Sequence, residues 1–166
     1  MKKTLLIFPL VLVFTLSGCG ELSEIEYNNN IAQALDANSS LIKDTITAYD
    51  SSVPDIVTEQ TEIDTSGMET ALENTQAKHQ DIETLLTLAS KNLDQEKAVE
   101  DELTNYISLS EICLSTYAEI LNYYKSGEYK NDLELVGEYD TNIYNNYNAL
   151  IESNNKLADI LEEYTK

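Results

Sequence analysis

The chain has 166 residues, with ten lysines, no arginine, 30 acidic residues and one histidine, and its formal net charge is −20. This length fits one domain better than two, and 42% hydrophobic residues are enough for a packed core. The charge and the lack of arginine exclude the electrostatic pattern of nucleic-acid-binding proteins. We therefore expect a single folded domain without a nucleic-acid partner.

The N-terminal residues have the pattern of a secretory signal. Lys2 and Lys3 precede an apolar run over residues 5–16. As a helix this run spans about 18 Å, which is shorter than the roughly 30 Å hydrocarbon layer of a membrane. A basic start, a short apolar run and small residues after it predict a cleaved signal rather than a permanent membrane span.

The next residues, Leu16-Ser17-Gly18-Cys19, resemble the lipobox of bacterial lipoproteins. In that family a signal peptidase cuts before the cysteine, which carries thioether-linked diacylglycerol. The resemblance implies that Leu16, Ser17 and Gly18 form the signal-peptidase recognition site and that Cys19 is the lipidation site. It also implies an anchor in the membrane through lipid rather than through a helix.

Cleavage at this site divides the chain into a signal peptide, residues 1–18, and a tethered ectodomain, residues 19–166. The ectodomain keeps eight lysines and all 30 acids, so its formal charge is −22. Its second cysteine, Cys113, has no partner for an intrachain disulfide. We predict a location at the extracytoplasmic face of the cell membrane, and the preference for Lys, Asn, Ile and Tyr is typical of AT-rich Gram-positive genomes.

The ectodomain has the apolar periodicity of long helices. Only four glycines and one proline follow the lipobox, which argues against a many-stranded fold. We predict an all-α fold, an elongated antiparallel bundle of three to four long helices. The predicted helices cover about 21–50, 53–91, 95–126 and 129–165.

Residues at alternating steps of three and four are predicted to face the core. In the first two helices these are Ile31, Leu35, Asn38, Ile42, Thr45, Tyr49, Met68, Leu72, Thr75, His79, Ile82, Leu86, Ala89 and Leu93. In the last two they are Val99, Leu103, Tyr106, Ser110, Cys113, Tyr117, Ile120, Tyr124, Val136, Tyr139, Ile143, Tyr147, Leu150, Asn154, Leu157, Leu161 and Tyr164.

Helix ends are marked by a few residues. Pro54 ends the first helix because it disfavours helix in the residue before it. Ser66 and Glu69 match a capping box, which predicts a kink or a new start near residue 66. Asp94 is a candidate N-cap, and Gly127 follows a basic last turn as a C-terminal stop.

The sequence offers little for catalysis, and we predict no enzymatic activity, no catalytic residue, no metal site and no cofactor. His79 and Cys113 lie at core-facing positions, without a second histidine to form a nucleophile pair. No phosphate-binding loop, zinc-ligand spacing or calcium-loop pattern occurs. The acidic residues are interpreted as solvated helix faces, with weak surface binding of Ca²⁺ or Mg²⁺ as the alternative.

Tyrosine is concentrated near the C-terminus, with nine of eleven between residues 106 and 164. In a four-helix bundle anchored through Cys19, the turn at 126–128 lies at the end away from the membrane. Tyr123, Tyr124 and Tyr129 flank that turn, and tyrosine is enriched in binding surfaces. These tyrosines are candidates for a partner contact, with simple packing of the helix ends as the alternative, and the negative charge favours a basic partner.

From about residue 103 onward the chain resembles the cell-wall-binding lipoproteins of Bacillus-type bacteria, which have a lipobox and an all-helical ectodomain. The resemblance lies in residues 117–124, 142–147 and 154–155, which repeat Asn and Tyr. The chain lacks the Phe and Arg expected there. The resemblance implies wall binding.

Three functions follow as hypotheses. The first is a non-enzymatic surface lipoprotein that binds a protein or cell-wall partner. The second is an immunity or exclusion lipoprotein that neutralises a toxin, a bacteriocin or a phage component. The third is a peptide source, since residues 11–18 resemble the mating pheromones that enterococci release from lipoprotein signals. The oligomeric state is left open.

Overall fold

The computed structural model describes residues 24–90 and 97–163, and within these ranges its regular secondary structure is entirely helical. A short 3₁₀ turn, Glu128–Lys130, precedes the last helix. The four α-helices are α1 (Glu24–Ser52), α2 (Ser66–Ser90), α3 (Lys97–Ser126) and α4 (Glu134–Glu163). The predicted all-α fold is confirmed.

The helices form an elongated antiparallel bundle in which each helix packs against its neighbours in the chain and α4 closes against α1. The direction of α2 follows from two contacts: Asn38 meets His79, whereas Leu41, further along α1, meets Thr75. A helix of 30 residues is about 45 Å long. The connections 53–65 and 127–133 therefore lie at one end of the bundle, called the distal end below.

The core lies where the periodicity predicts it. Every predicted core position within 31–49, 68–82 and 99–124 is buried. This includes polar residues such as Asn38 and His79, because the 3.6-residue period decides which face a position occupies, whatever its polarity. On α4 the agreement is partial, since Tyr139, Tyr147 and two other predicted positions are only half-buried.

The predicted helix over 53–91 is wrong in its first third. Residues 53–65 form an irregular segment with one turn at Thr58–Thr61, and α2 begins only at Ser66. Seven of these 13 residues are β-branched and one is Pro54, so the helix propensity is low. Val53, Val57 and Ile63 pack against the core from this segment instead of from a helix face.

The start of α2 and the end of α3 are set by local backbone contacts. The Asp64 carboxylate accepts a hydrogen bond from the Ser66 amide at 3.0 Å, and the Thr65 carbonyl accepts one from Glu69 at 2.9 Å. The cap therefore lies one to two residues before the predicted Ser66. Gly127 ends α3 as predicted, with a φ of 78° that favours glycine.

The last helix begins later than predicted, at Glu134 rather than near 129. The 3₁₀ turn that replaces its first residues brings the Tyr129 ring back into the core, where it is buried. The chain therefore reverses direction between Gly127 and Glu134, which a helix beginning at residue 129 would not require. The predicted turn at 92–94 and the core position Tyr164 lie outside the described residues.

A buried carboxylate joins α3 to α4 near the other end of the bundle. Glu102 is 5% exposed and accepts hydrogen bonds from Ser153 Oγ at 2.6 Å, from Asn105 Nδ2 at 2.9 Å and from Lys156 Nζ. Burial raises the pKa of this carboxyl, but the hydrogen bonds from Lys156, Ser153 and Asn105 outweigh it and leave the pKa lowered. The ionised form is the stable one in the fold.

We expect Lys156→Ala to destabilise the fold at pH 7 and to flatten its response to acid. A lowered pKa in the folded state contributes stability above the unfolded pKa of about 4.3, and this contribution disappears as pH falls through the folded pKa. Without Lys156 the pKa of Glu102 is lowered less, so the contribution of its ionised form to stability becomes smaller. Urea midpoints at pH 7 and pH 4 measure both effects, with Lys78→Ala, an exposed lysine on α2, as the control. Equal midpoints in the two variants would contradict the role of Lys156.

Candidate functional site

A cluster of tyrosine rings fills the distal end of the core. Tyr123 and Tyr124 lie on the last turns of α3, with ring centroids 5.3 Å apart. Tyr129 approaches both of them, at 6.4 and 5.5 Å, and Tyr139 of α4 lies 4.9 Å from Tyr123. On α1, Tyr49 lies 6.3 Å from Tyr124. These five residues are called the tyrosine cluster below.

The three tyrosines that were considered for a partner contact are buried in the structure, as the packing alternative expects. Tyr123, Tyr124 and Tyr129 are each only 3% exposed, so their rings are not available to a partner in this fold. The reason is tertiary: the reversal at Gly127 places Tyr129 over the end of α3. Tilted and edge-on aromatic pairs of this kind stabilise a core beyond the area that they bury.

Two hydroxyl groups of the cluster donate hydrogen bonds to backbone carbonyls of the two distal connections. Tyr129 Oη donates a hydrogen bond to the Thr61 carbonyl at 2.6 Å, across 68 residues of sequence. Tyr123 Oη donates to the carbonyl of Asp132. The tyrosines that were predicted to touch a partner therefore position the segments that lie above them.

The distal surface is formed by residues 53–65 and by residues 127–134, which are the second connection and the first residue of α4. Ile56 is 78% exposed there and Leu133 is 39% exposed, and both are among the few large apolar side chains that the described residues leave in water. This surface was not predicted from the sequence, because residues 53–65 were assigned to a helix. A run of β-branched residues after Pro54 is the signal that could have revealed it.

The distal surface is strongly acidic. Its first segment carries four acidic residues and no lysine, and the second carries three acids and one lysine. That lysine, Lys130, forms a 2.6 Å ion pair with Glu62, which also ties the two segments together. Lys125, at the end of α3, is 2.9 Å from Glu69. Both cations at this end are therefore engaged by acids of the same molecule, and the surface keeps a negative field.

We expect Tyr129→Phe to loosen the segment 53–65 while leaving the bundle folded. The change removes the hydrogen bond to Thr61 but keeps the ring, and a lost buried hydrogen bond costs about 1 kcal/mol. Hydrogen–deuterium exchange should become faster in peptides from 53–65 and stay unchanged in α3. The control is Tyr139→Phe, because no hydrogen bond joins Tyr139 to residues 53–65. Equal exchange in both variants would contradict this role.

A second polar group lies in the middle of the core, the His79 layer, formed by Asn38 of α1, His79 of α2 and Tyr106 and Ser110 of α3. Asn38 Oδ1 is 2.7 Å from His79 Nδ1, and Asn38 Nδ2 is 2.7 Å from Ser110 Oγ and 3.1 Å from Tyr106 Oη. Burial lowers the pKa of His79 and raises that of Tyr106. The layer is uncharged at neutral pH and links three helices.

The remaining reactive side chain, Cys113, lies in the core. Burial raises the pKa of its thiol to about 12, which keeps it protonated and poorly nucleophilic. Within 24–90 and 97–163 no group of three or more His, Cys, Asp or Glu side chains is arranged to hold a metal ion. A shallow groove of about 350 Å³ between α1 and α2 is lined by small and polar residues such as Gly67, Thr70 and Asn74.

The predicted lipidation and cleavage residues, Leu16, Ser17, Gly18 and Cys19, lie outside the described residues and remain predictions. Among the helices that the structure describes, none has an apolar stretch long enough to cross a membrane. Comparison with protein-family models, with curated proteins and with solved structures finds no match for this chain. Its function is therefore argued from its own residues.

Proposed function

We propose that this protein is a lipid-anchored surface protein whose helical bundle presents the distal surface to a basic protein partner, without chemistry of its own. The observation that carries the proposal is Ile56, which is 78% exposed on an acidic segment whose position is set by the tyrosine cluster. A protein interface has an apolar centre within a polar rim, and Ile56 together with the acidic residues of its segment fits that arrangement.

The chain order supports the same orientation. Cys19, the predicted lipid anchor, precedes α1 by only a few residues, and α1 ends at Ser52, next to the distal surface. An α-helix of 29 residues spans about 43 Å. A tether at the start of α1 and a binding surface at its end would separate partner and membrane by about the length of the bundle.

Charge favours a basic protein over the cell wall. The ectodomain has a formal charge of −22, which repels anionic lipids and anionic wall polymers. A basic protein is attracted by the same field and can bury Ile56 in a pocket of its own. An immunity or exclusion role, against a basic toxin or phage component, is one form of this function. The pheromone hypothesis concerns only residues 11–18 and is independent of it.

A photo-crosslinking amino acid at position 56 in living cells tests the proposal. We expect one dominant protein adduct with a basic isoelectric point. The same amino acid at Ile112, which is 43% exposed on α3, is the matched control and should not give that adduct. Absence of a protein adduct at position 56, together with co-sedimentation of the protein with purified sacculi, would replace the proposal with wall binding.

Charge-reversal variants test whether the acidic residues near Ile56 select the partner that is crosslinked at position 56. Glu59→Lys places a cation in the distal surface and should lower the yield of the position-56 adduct several-fold. Glu152→Lys makes the same change on the exposed face of α4, towards the other end of the bundle, and should leave the yield unchanged. Equal yields in the two variants would show that the acids near Ile56 do not select the partner.

A further inference from the structure

The hydrogen bonds of the His79 layer determine where the protons lie. Ser110 Oγ donates to the Tyr106 carbonyl at 3.1 Å, and Tyr106 Oη donates to the Leu35 carbonyl at 3.2 Å. The Ser110 proton is therefore taken by a carbonyl, and the Tyr106 proton by the Leu35 carbonyl or by Ser39 Oγ at 3.1 Å, so both hydroxyl oxygens accept from Asn38 Nδ2. Asn38 must then present Oδ1, an acceptor, to the histidine.

It follows that His79 carries its proton on Nδ1 and a lone pair on Nε2. The contact between Nδ1 and Asn38 Oδ1, at 2.7 Å, requires a donor on the histidine side. Nε2 is buried and has no hydrogen-bond partner among the residues that the structure describes. His79 is 8% exposed and is the only histidine in the chain. The core accepts the neutral ring in one tautomer and provides no acceptor for a second N–H.

We infer that the His79 layer is an acid-sensitive interface, which holds α2 against α1 and α3 at neutral pH and releases it when Nε2 takes up a proton. Protonation would place a positive charge and an unsatisfied donor in the core at the point where three helices meet. The fold can avoid this cost only by exposing the ring, which requires α2 to move away from its neighbours.

The surrounding charges oppose this effect but do not cancel it. Glu83 on α2 and Glu111 on α3 both favour the protonated ring, whereas the neighbours from α1, Asn38 and Ser39, are uncharged. Burial outweighs the two carboxylates and leaves the pKa of His79 below its ordinary value of 6.5. The unfolded chain takes up this proton first, so stability is lost as pH falls below about 6.5.

Release of α2 would also affect the distal surface. α2 begins at Ser66, directly after the segment 53–65, and the Glu69 side chain at its start accepts from Thr65 Oγ1 at 3.0 Å and pairs with Lys125 of α3. A displaced α2 removes this anchor from one end of the segment. Protonation of His79 in mild acid is therefore expected to loosen the segment 53–65 of the distal surface, whatever partner binds there.

Nitrogen-15 NMR of the single histidine tests the inference on the purified full-length protein in a nonionic detergent. At pH 7.5 we expect the signals of a neutral ring protonated on Nδ1. Between pH 7.5 and 5.5, a range in which ordinary carboxylates stay ionised, protonation of the ring should coincide with a fall in the protection of α2 amides, measured as exchange relative to the intrinsic rate at each pH. A ring that titrates near 6.5 with unchanged protection of α2 amides would overturn the inference.

The variant His79→Gln supplies a second readout. Glutamine can donate to Asn38 Oδ1 but does not titrate, so its unfolding equilibrium should change little between pH 7.5 and 5.5. The equilibrium constant for unfolding of the wild type should rise several-fold more over the same range. The same pH response in both proteins would also overturn the inference. If His79→Gln does not fold, the wild-type NMR titration decides alone.

Discussion

Replacing Asn38 with alanine is expected to lower the free energy of unfolding by about 3 kcal/mol. Asn38 is fully buried, and its amide bonds to His79, Ser110 and Tyr106. Its removal leaves the donor at His79 Nδ1 without an acceptor and opens a small cavity. The two hydroxyl groups keep their own bonds to backbone carbonyls, so the loss is concentrated at the histidine.

Urea unfolding at pH 7.5, followed by circular dichroism, measures this loss. The matched control is Asn30→Ala, the same change on an exposed position of α1, which should cost less than about 0.5 kcal/mol because alanine is the better helix former. A loss in Asn38→Ala no larger than in Asn30→Ala would show that the His79 layer does not stabilise the fold in solution.

The second large effect concerns the predicted anchor. Cys19→Ala should abolish incorporation of a clickable palmitate analogue in cells, because the lipobox resemblance assigns the lipid to that thiol. Two acyl chains anchor a protein stably to a membrane. Lipid labelling is measured rather than detergent partitioning, since an uncleaved apolar signal would itself partition into detergent.

Cys113→Ala is the matched control, as it removes the other cysteine of the chain. Cys113 is buried among core residues and its thiol stays protonated, so this variant should be labelled like the wild type. Intact mass should also show loss of residues 1–18 in the wild type but not in Cys19→Ala. A wild-type protein without label, or a label that is lost in Cys113→Ala and kept in Cys19→Ala, would contradict the lipoprotein assignment.

The agreement between sequence and structure is best where helical periodicity is sustained over several turns. Asn38, Thr45, Thr75 and Ser110 were predicted to face the core although they are polar, and all four are buried. Their positions follow from the phase of their apolar neighbours. The same rule placed His79 correctly but could not supply its partners, since Asn38 lies 41 residues away in the chain.

The tyrosines that were predicted to contact a partner lie at the distal end, as expected, but their rings are buried. Tyr123 and Tyr129 do not share the helical phase of the core, and this suggested exposure. In the structure they are buried by the reversal at Gly127, and their hydroxyls support Asp132 and Thr61. Ile56, now the best candidate for partner contact, had been assigned to a helix.

The amino-acid sequence was sufficient for the helical class, the core-facing phase of most positions and the stop at Gly127, because each depends on residues within a few turns of one another. The distal surface, by contrast, is determined by tertiary contacts between segments that are far apart in the sequence. The path of residues 53–65 depends on Tyr129 and Lys130, which lie 68 residues further along the chain. Local propensity only disfavours helix there. The contacts with the tyrosine cluster determine the shape that the segment adopts and the side chain that it leaves in water.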